Sequence, residues 1–238
     1  MDQNVLTDYL DAVAGACSRE MIWARTSRFF ADSGFDKLIY LSVTPATASM
    51  ATTLPEAWTR HYRDSEYEQI DPFLTYCCAT LTPIGTGSDY CSDYDYLSGT
   101  QQQLIHEAAE FGMRAGFSAT VSQIGSAGGS GWNLGSSLDR SQVEAIRAEK
   151  EALLRLVAMY AHERLRDAPD PHAPSLSRRE IECLTWLMHG KRVKDIALQL
   201  NLSAAAIELY VRNARSKLQA RTREQAIAKA IMLGLLKP

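Results

Sequence analysis

No apolar run in this chain of 238 residues approaches the roughly 20 residues that a helix needs to cross a bilayer. Met1-Asp2-Gln3-Asn4 also lacks the basic opening of a secretory leader, so a cytoplasmic protein without a membrane partner is expected. Cysteine is sparse. Cys17, Cys77, Cys78, Cys91 and Cys183 are odd in number and have no metal-ligand spacing, which argues against a disulfide scaffold and against a zinc module. No catalytic set is evident either. His106-Glu107 lacks the second histidine of a metal-binding helix, no nucleophile elbow appears, and Cys77 and Cys78 have no evident partner base. Four of the 14 glycines fall within 125–131, but no Gly-Lys-Ser/Thr follows them, so a loop is expected there and not a phosphate cradle. Neither an enzyme nor a cofactor-binding or metal-binding protein is expected.

Charge is what the chain has, and it is divided unevenly. From His172 to Pro238 there are 12 Lys+Arg against 5 Asp+Glu, a balance of +7. From Met1 to Pro171 there are 13 against 23, a balance of −10, giving the overall −3. A basic tail on an acidic body is the footprint of a nucleic-acid-binding module joined to a body with another task. Three of the eight prolines crowd into 169–174, marking an extended joint over 167–175. The expected organisation is therefore a sensor domain over 1–166, a linker over 167–175 and a DNA-binding domain over 176–238.

Within the tail, four short segments each carry their own start and stop signals. Ser177 and Glu180 form a capping box, Ile181, Leu184, Leu187 and Met188 share one helical face, and Gly190 supplies a left-handed stop. Val193, Ile196, Ala197 and Leu200 make a second helix, and Asn201-Leu202 a turn. Ser203 caps a third helix with Ile207, Val211, Ala214 and Leu218 on one stripe. Thr222 with Gln225 opens a fourth. Two helices joined by a tight turn and supported on either side describe a helix-turn-helix that reads double-stranded DNA. Ala205, Glu208, Arg212 and Asn213 lie away from the stripe of the third helix, with Arg215 and Lys217 near its end. Arg212 is the candidate base reader, since a guanidinium grips guanine bidentately, and the free N–H groups after Ser203 suit a phosphate.

Before the joint, the pattern predicts helices over about 4–17, 19–32, 55–67, 71–78, 101–113 and 138–166. Strands are expected over 37–43, near 48–53, and over 117–124 and 132–136, the last two around the glycine cluster. Adjacent strands joined by a hairpin pair antiparallel, so the expected class is α+β: an N-terminal α-β-α sandwich with an antiparallel sheet, plus the C-terminal four-helix helix-turn-helix domain. In the helix over 138–166, Ile146, Leu153, Val157 and Tyr160 form one stripe. Leu154, Ala158, Ala161 and Leu165 form another, which fits either one face for the sheet and one for a homodimer or a single broad buried face; a dimer is favoured because paired units read a two-fold symmetric site. Trp58 and Tyr62, four apart on one helix face, together with Asp71 before Pro72, supply an indole donor, a phenol and a carboxylate for a small polar head group. Core packing and a helix cap are the plain alternatives for these residues.

The tail resembles the DNA-binding domain of LuxR-type regulators. The run from Leu176-Ser177-Arg178-Arg179-Glu180 through Trp186, Gly190-Lys191, Asp195-Ile196-Ala197, Leu202-Ser203, Val211, Asn213 and Lys217-Leu218 to Ala226 and Gly234-Leu235 carries that resemblance. Glu208 and Tyr210 depart from the basic or polar residue and the histidine more usual there. The order Trp58, Tyr62, Asp71-Pro72, Phe111-Gly112 and Gly116 is similar to the acyl-homoserine-lactone-binding domain of the same family. The resemblance implies that Trp58 donates to a lactone carbonyl, Asp71 accepts from the amide N–H and Tyr62 holds the acyl carbonyl. Leu54, Phe73, Leu104, Met113, Trp132 and Leu134 would contact the tail of such an autoinducer. Where the family usually has a tryptophan shortly after Pro83-Ile84, this chain reads Gly85-Thr86-Gly87. With Thr86 there, the loss of that aromatic wall is expected to enlarge the pocket, shift head-group recognition or loosen ligand dependence, and Trp132 to refill the space.

Two other readings compete. A regulator of this type can act without a lactone or sense another small molecule. A phosphorylated response regulator can share the DNA-binding domain, but the strand over 37–43 runs into Thr44-Pro45 without the acceptor aspartate that such a receiver needs.

Overall fold

A computed structural model describes residues 3–43, 48–125, 128–168 and 174–236. Residues 169–173 of the proline-rich joint, Thr44-Pro45 and Ser126-Ala127 of the glycine cluster lie outside the described residues. The chain divides into two compact units, Met1–Pro169 and Asp170–Pro238.

The first unit opens with α1 (Gln3–Ala14) and α2 (Arg19–Asp32), the latter capped by the Ser18 side chain. The chain continues through β1 (Lys37–Val43), β2 (Ala48–Thr52), α3 (Glu56–Asp64), α4 (Pro72–Thr75), β3 (Gly85–Thr86), α5 (Gly99–Glu110), β4 (Ala115–Gly125), β5 (Gly128–Ser136) and α6 (Arg140–Asp167). The sheet order is β2-β1-β5-β4-β3, and every described pairing is antiparallel. The α+β expectation holds.

Strand alternation divides the sheet into two chemically distinct faces. Leu38 and Tyr40 of β1, Ala115, Phe117 and Ala119 of β4, and Trp132 and Leu134 of β5 join the core formed with α1, α2 and α6. Ile39, Ser118, Thr120 and Asn133 occupy the intervening positions. There the Thr120 hydroxyl donates to the carbonyl of Cys77, and Ile39 packs with Leu54, Trp58 and Met113.

Trp132 and Leu134 therefore do not refill the ligand pocket, contrary to expectation. Trp132 is fully buried on the other face. It stacks on Trp23 with centroids 5.7 Å apart and meets Phe30 at 5.6 Å and Tyr40 at 4.6 Å, while its indole N–H donates to the carbonyl of Ala158 at 3.0 Å. One side chain thus ties α2, the sheet and α6 together.

Two other expectations need correction, and one open alternative is decided. The glycine cluster is mostly strand: β5 already begins at Gly128, and a Cβ on Gly131 would come within 3.1 Å of the Thr120 Cα, so the glycine suits the close approach of β4. The helical signals over 55–67 and 71–78 each resolve into a short helix followed by a 3-10 turn. On α6, Leu154, Val157, Ala158, Ala161 and Leu165 are buried, with Ile146, Leu153 and Tyr160 packed against the same core, so the two stripes form one broad inward face. The large apolar residues exposed on that helix are Leu156 and Met159, which neither stripe contained.

The second unit holds α7 (Arg178–Met188), α8 (Val193–Leu200), α9 (Ala204–Lys217) and α10 (Arg223–Met232). Each expected cap is present. Ser177 and Glu180 close a capping box, Ser203 accepts from the backbone N–H of Ala206, and Thr222 accepts from that of Gln225. Asn201 turns the chain between α8 and α9 in the left-handed conformation at φ 51°, and Gly190 ends α7 at φ 76°.

Glu180, 3 % exposed, does more than cap. It accepts from the Ser177 backbone N–H at 2.7 Å and pairs with the Lys217 ammonium at 2.8 Å, joining the start of α7 to the end of α9. Burial opposes its ionisation, but Lys217 and the Ser177 N–H outweigh this and hold the carboxyl below the usual glutamate range.

Two outcomes follow from this packing. Trp132→Ala should lower the unfolding free energy of the first unit by about 3–5 kcal/mol, read from urea unfolding. Glu180→Gln should destabilise the second unit by about 1–2 kcal/mol at neutral pH, followed by the NMR signals of α7. Because the folded pKa of Glu180 is depressed, its contribution is complete above the ordinary glutamate value of about 4.3 and is lost as pH falls through the lower folded value. The difference between wild type and variant should therefore shrink in acid; a difference independent of pH would contradict the charged tie.

Candidate functional site

On the face of the sheet turned away from Trp132, two cavities of about 90 and 360 Å³ adjoin. Both are lined by Ile39, Trp58, Tyr62, Asp71 and Phe73, so these residues form the waist between them. The larger cavity continues past Leu41, Val43, Met50, Leu54 and Leu74, with Ser49, Thr52, Thr59, Arg63 and Glu68 also lining it. The smaller one continues past Thr86, Leu104, Met113, Asn133 and a group of tyrosines.

The waist is built from local rules. α3 places Trp58 and Tyr62 one turn apart, so both rings share a face, 6.1 Å between centroids. Trp58, 4 % exposed, also packs on Phe111 at 5.3 Å. Asp71 precedes Pro72 at the start of α4 and caps it, one carboxylate oxygen accepting from the Phe73 N–H at 2.8 Å. The other oxygen accepts from the Tyr62 hydroxyl, also at 2.8 Å. Burial raises the Asp71 pKa against the pull of these two donors. Burial, and next the charge of Asp71, raise that of Tyr62, so the phenol keeps its proton and donates it. Among the described residues the Trp58 indole N–H has no acceptor.

Most of the residues proposed for the ligand come together: Trp58, Tyr62, Asp71, Phe73, Thr86, Leu104 and Met113 line the smaller cavity, and Leu54 lines the larger. Trp132 and Leu134 do not. Sequence reasoning missed Ile39 and Asn133, although strand alternation beside Leu38 and Trp132 carried that signal. It also missed Tyr76, Tyr94 and Tyr96. Tyr76 and Tyr94 flank Tyr96 with centroids 4.3 and 5.4 Å away, forming an aromatic wall from loops that have no periodicity to read. The Tyr94 hydroxyl donates to the Gly85 carbonyl at 2.9 Å, next to Thr86. Cys77 lines the cavity too, but burial pushes its thiol up to about 12, so it is a neutral wall and no nucleophile at neutral pH.

In the second unit, α9 turns Ile207, Val211 and Ala214 inward and leaves Ser203, Ala205, Glu208, Leu209, Arg212, Asn213 and Ser216 exposed. Arg212 makes no ion pair or hydrogen bond with the described residues, and Glu208 does not pair with it. Its guanidinium is available for a partner. Arg215 and Lys217 stand differently from expectation: Arg215 donates to the carbonyl of Arg221, and Lys217 is held by Glu180. Both lie on the flanks of α9, where the protein itself supplies acceptors. Lys191, Arg192 and Lys194, around the start of α8, are exposed and unpaired among the described residues, and sequence reasoning had not singled them out.

Comparison with known proteins bears on both units. A model of the autoinducer binding domain matches residues 18–165, and one of bacterial regulatory proteins of the luxR family matches residues 174–230. The quorum sensing-dependent transcriptional regulator RpaR of Rhodopseudomonas palustris is 28% identical, over 97% of this chain and 94% of its own. Among solved structures, SdiA of Escherichia coli has a similar fold, with a TM-score of 0.64 at 21% identity over 98% of both chains. The LuxR-family factor CepR2 of Burkholderia cenocepacia has a TM-score of 0.53 at 24% identity, covering 69% of this chain and 97% of that one. With an autoinducer-binding unit and a helix-turn-helix unit matched in this order, the chain belongs to the LuxR family of ligand-responsive transcriptional regulators.

Proposed function

We propose that this regulator senses a neutral acyl-homoserine lactone in the paired cavities and, as a cytoplasmic homodimer, binds a two-fold symmetric DNA site through the exposed face of α9. The observation that carries the ligand reading is the buried Asp71 carboxylate at the waist. With its pKa raised by burial, it gains from a further donor, and an amide N–H is one that a neutral ligand can bring. The larger cavity accepts an acyl tail, and the free Trp58 N–H suits a ring carbonyl. Tyr62 spends its single proton on Asp71, so its role is to position that carboxylate more than to hold the acyl carbonyl. CepR2, with which the fold is shared, is described as dependent on an N-acylhomoserine lactone. SdiA has been solved in complex with octanoyl-rac-glycerol. An acylglycerol is therefore the second reading, since its hydroxyl also donates to a carboxylate.

Arg212 is the proposed base reader, Asn213, Ala205 and Glu208 lie beside it, and Ser203 with Lys191, Arg192 and Lys194 is proposed to meet phosphates. Pairing two such units on DNA multiplies a weak single contact, which favours a dimer.

Ligand at about 100 times its Kd should stabilise the first unit by roughly 2.7 kcal/mol, seen as a rise in Tm across a panel of acyl-homoserine lactones and acylglycerols. Asp71→Asn should cut that affinity about 10–100-fold, as expected for a hydrogen bond to a charged group; an unchanged titration would place the polar anchor elsewhere. Arg212→Ala should abolish specific DNA binding in a gel shift while leaving the circular dichroism spectrum intact. Wild-type affinity should fall steeply with salt. Undiminished binding by the variant would rule out the assignment of α9.

A further inference from the structure

The smaller cavity contains a polar pair that the anchor at its waist does not use. Asn133 is 6 % exposed and lines the cavity. Its side-chain carbonyl accepts from the Thr86 hydroxyl at 2.7 Å, which turns the carboxamide toward Thr86, and its amide N–H₂ has no acceptor among the described residues. A donor that faces a cavity without a protein acceptor is available to hydrogen-bond an acceptor on a bound molecule. The backbone has made room for this pair. A Cβ on Gly85 would lie 2.4 Å from the Tyr90 ring, and one on Gly87, at φ +98°, would lie 2.4 Å from the Arg114 carbonyl oxygen. Thr86 is the residue in that two-residue strand and its turn that has space for a side chain.

The direction of the pair is set by the compartments. Asn133 and Thr86 line the smaller cavity and not the larger one, which holds the aliphatic side chains Leu41, Val43, Met50, Leu54 and Leu74 proposed to meet the tail, so they lie on the far side of the waist from it. No lysine, arginine or histidine lines the smaller cavity, whereas Asp71 does, so an anionic head group would meet a carboxylate and no counter-charge.

We propose that Asn133, positioned by Thr86, is a specificity-determining donor for an acceptor oxygen in the head group of a neutral ligand. The inference rests on the reading that these cavities take an acyl-homoserine lactone. It adds a second donor for the ring oxygens, Asn133, beside Trp58.

Two probes separate the claims: N-octanoyl homoserine lactone, and N-octanoyl cyclopentylamide, which keeps the tail, the amide and the ring size but lacks the ring oxygens. Their affinities for the purified full chain are read from concentration-dependent thermal shifts. Wild type should prefer the lactone. Asn133→Leu should weaken the lactone about tenfold and leave the cyclopentylamide unchanged, the size expected for one neutral hydrogen bond to a buried group. Thr86→Val should cause a smaller loss with the same selectivity, and it decides the matter if Asn133→Leu fails to fold. Equal losses on both probes would mean that Asn133 is structural and would overturn the proposal while leaving the lactone reading in place. Equal affinity of wild type for both probes would also overturn it. Stabilisation of wild type by neither probe would instead overturn the lactone reading beneath it.

Discussion

A sheet buried on both faces must satisfy two environments with one strand pattern, and the sensor unit is organised around that constraint. Along β5 the side chains of Trp132 and Leu134 go to the hydrophobic core, while the residue between them, Asn133, goes to a cavity with polar fittings. Along β1 the same division separates Leu38 and Tyr40 from Ile39. Because alternation has a period of two, a slip of one residue would drive Asn133 into the core and Trp132 into the cavity, destroying both. The stack of Trp132 on Trp23 and its bond to Ala158 hold that register from behind. The site is thus supported from behind by the core.

At the waist, the local rule that starts α4 also makes the proposed ligand anchor. Asp71 is a helix cap that faces both cavities, and the same burial that raises its pKa makes it receptive to a donor. Cap and anchor are two uses of one carboxylate. The second unit shows the same economy: Glu180 caps α7 and, by holding Lys217, ties that helix to α9. Fixing both flanks of α9 from within leaves Arg212 free on its outer side, where a partner can reach it.

The parts legible in sequence were those governed by local chemistry. The boundaries of β1 and the caps at Ser177, Ser203 and Thr222 follow from patterning and side-chain-to-backbone bonds a few residues apart. Trp58, Tyr62 and Asp71 were placed in one pocket from helical spacing and family resemblance. The parts that were hidden depend on distant partners. β3 is two residues long, too short to have a period, and exists because β4 pairs with it. The glycines of 128–131 read as a turn, yet they are strand because β4 approaches closely there. Arg215 and Lys217 read as DNA contacts, since a cation on a helix flank looks free until its internal acceptor, Arg221 or Glu180, is known. The tyrosine wall of Tyr76, Tyr94 and Tyr96 comes from loops, for which the sequence holds no face at all.

The central claim is that a small neutral acyl molecule fills the space between the sheet and α3–α5. Hydrogen–deuterium exchange of the full chain, with and without saturating N-octanoyl homoserine lactone, addresses it most directly. The account predicts slowed exchange across 56–77 and 129–135, which border the two cavities. Protection absent from both segments, or confined to the second unit, would contradict it.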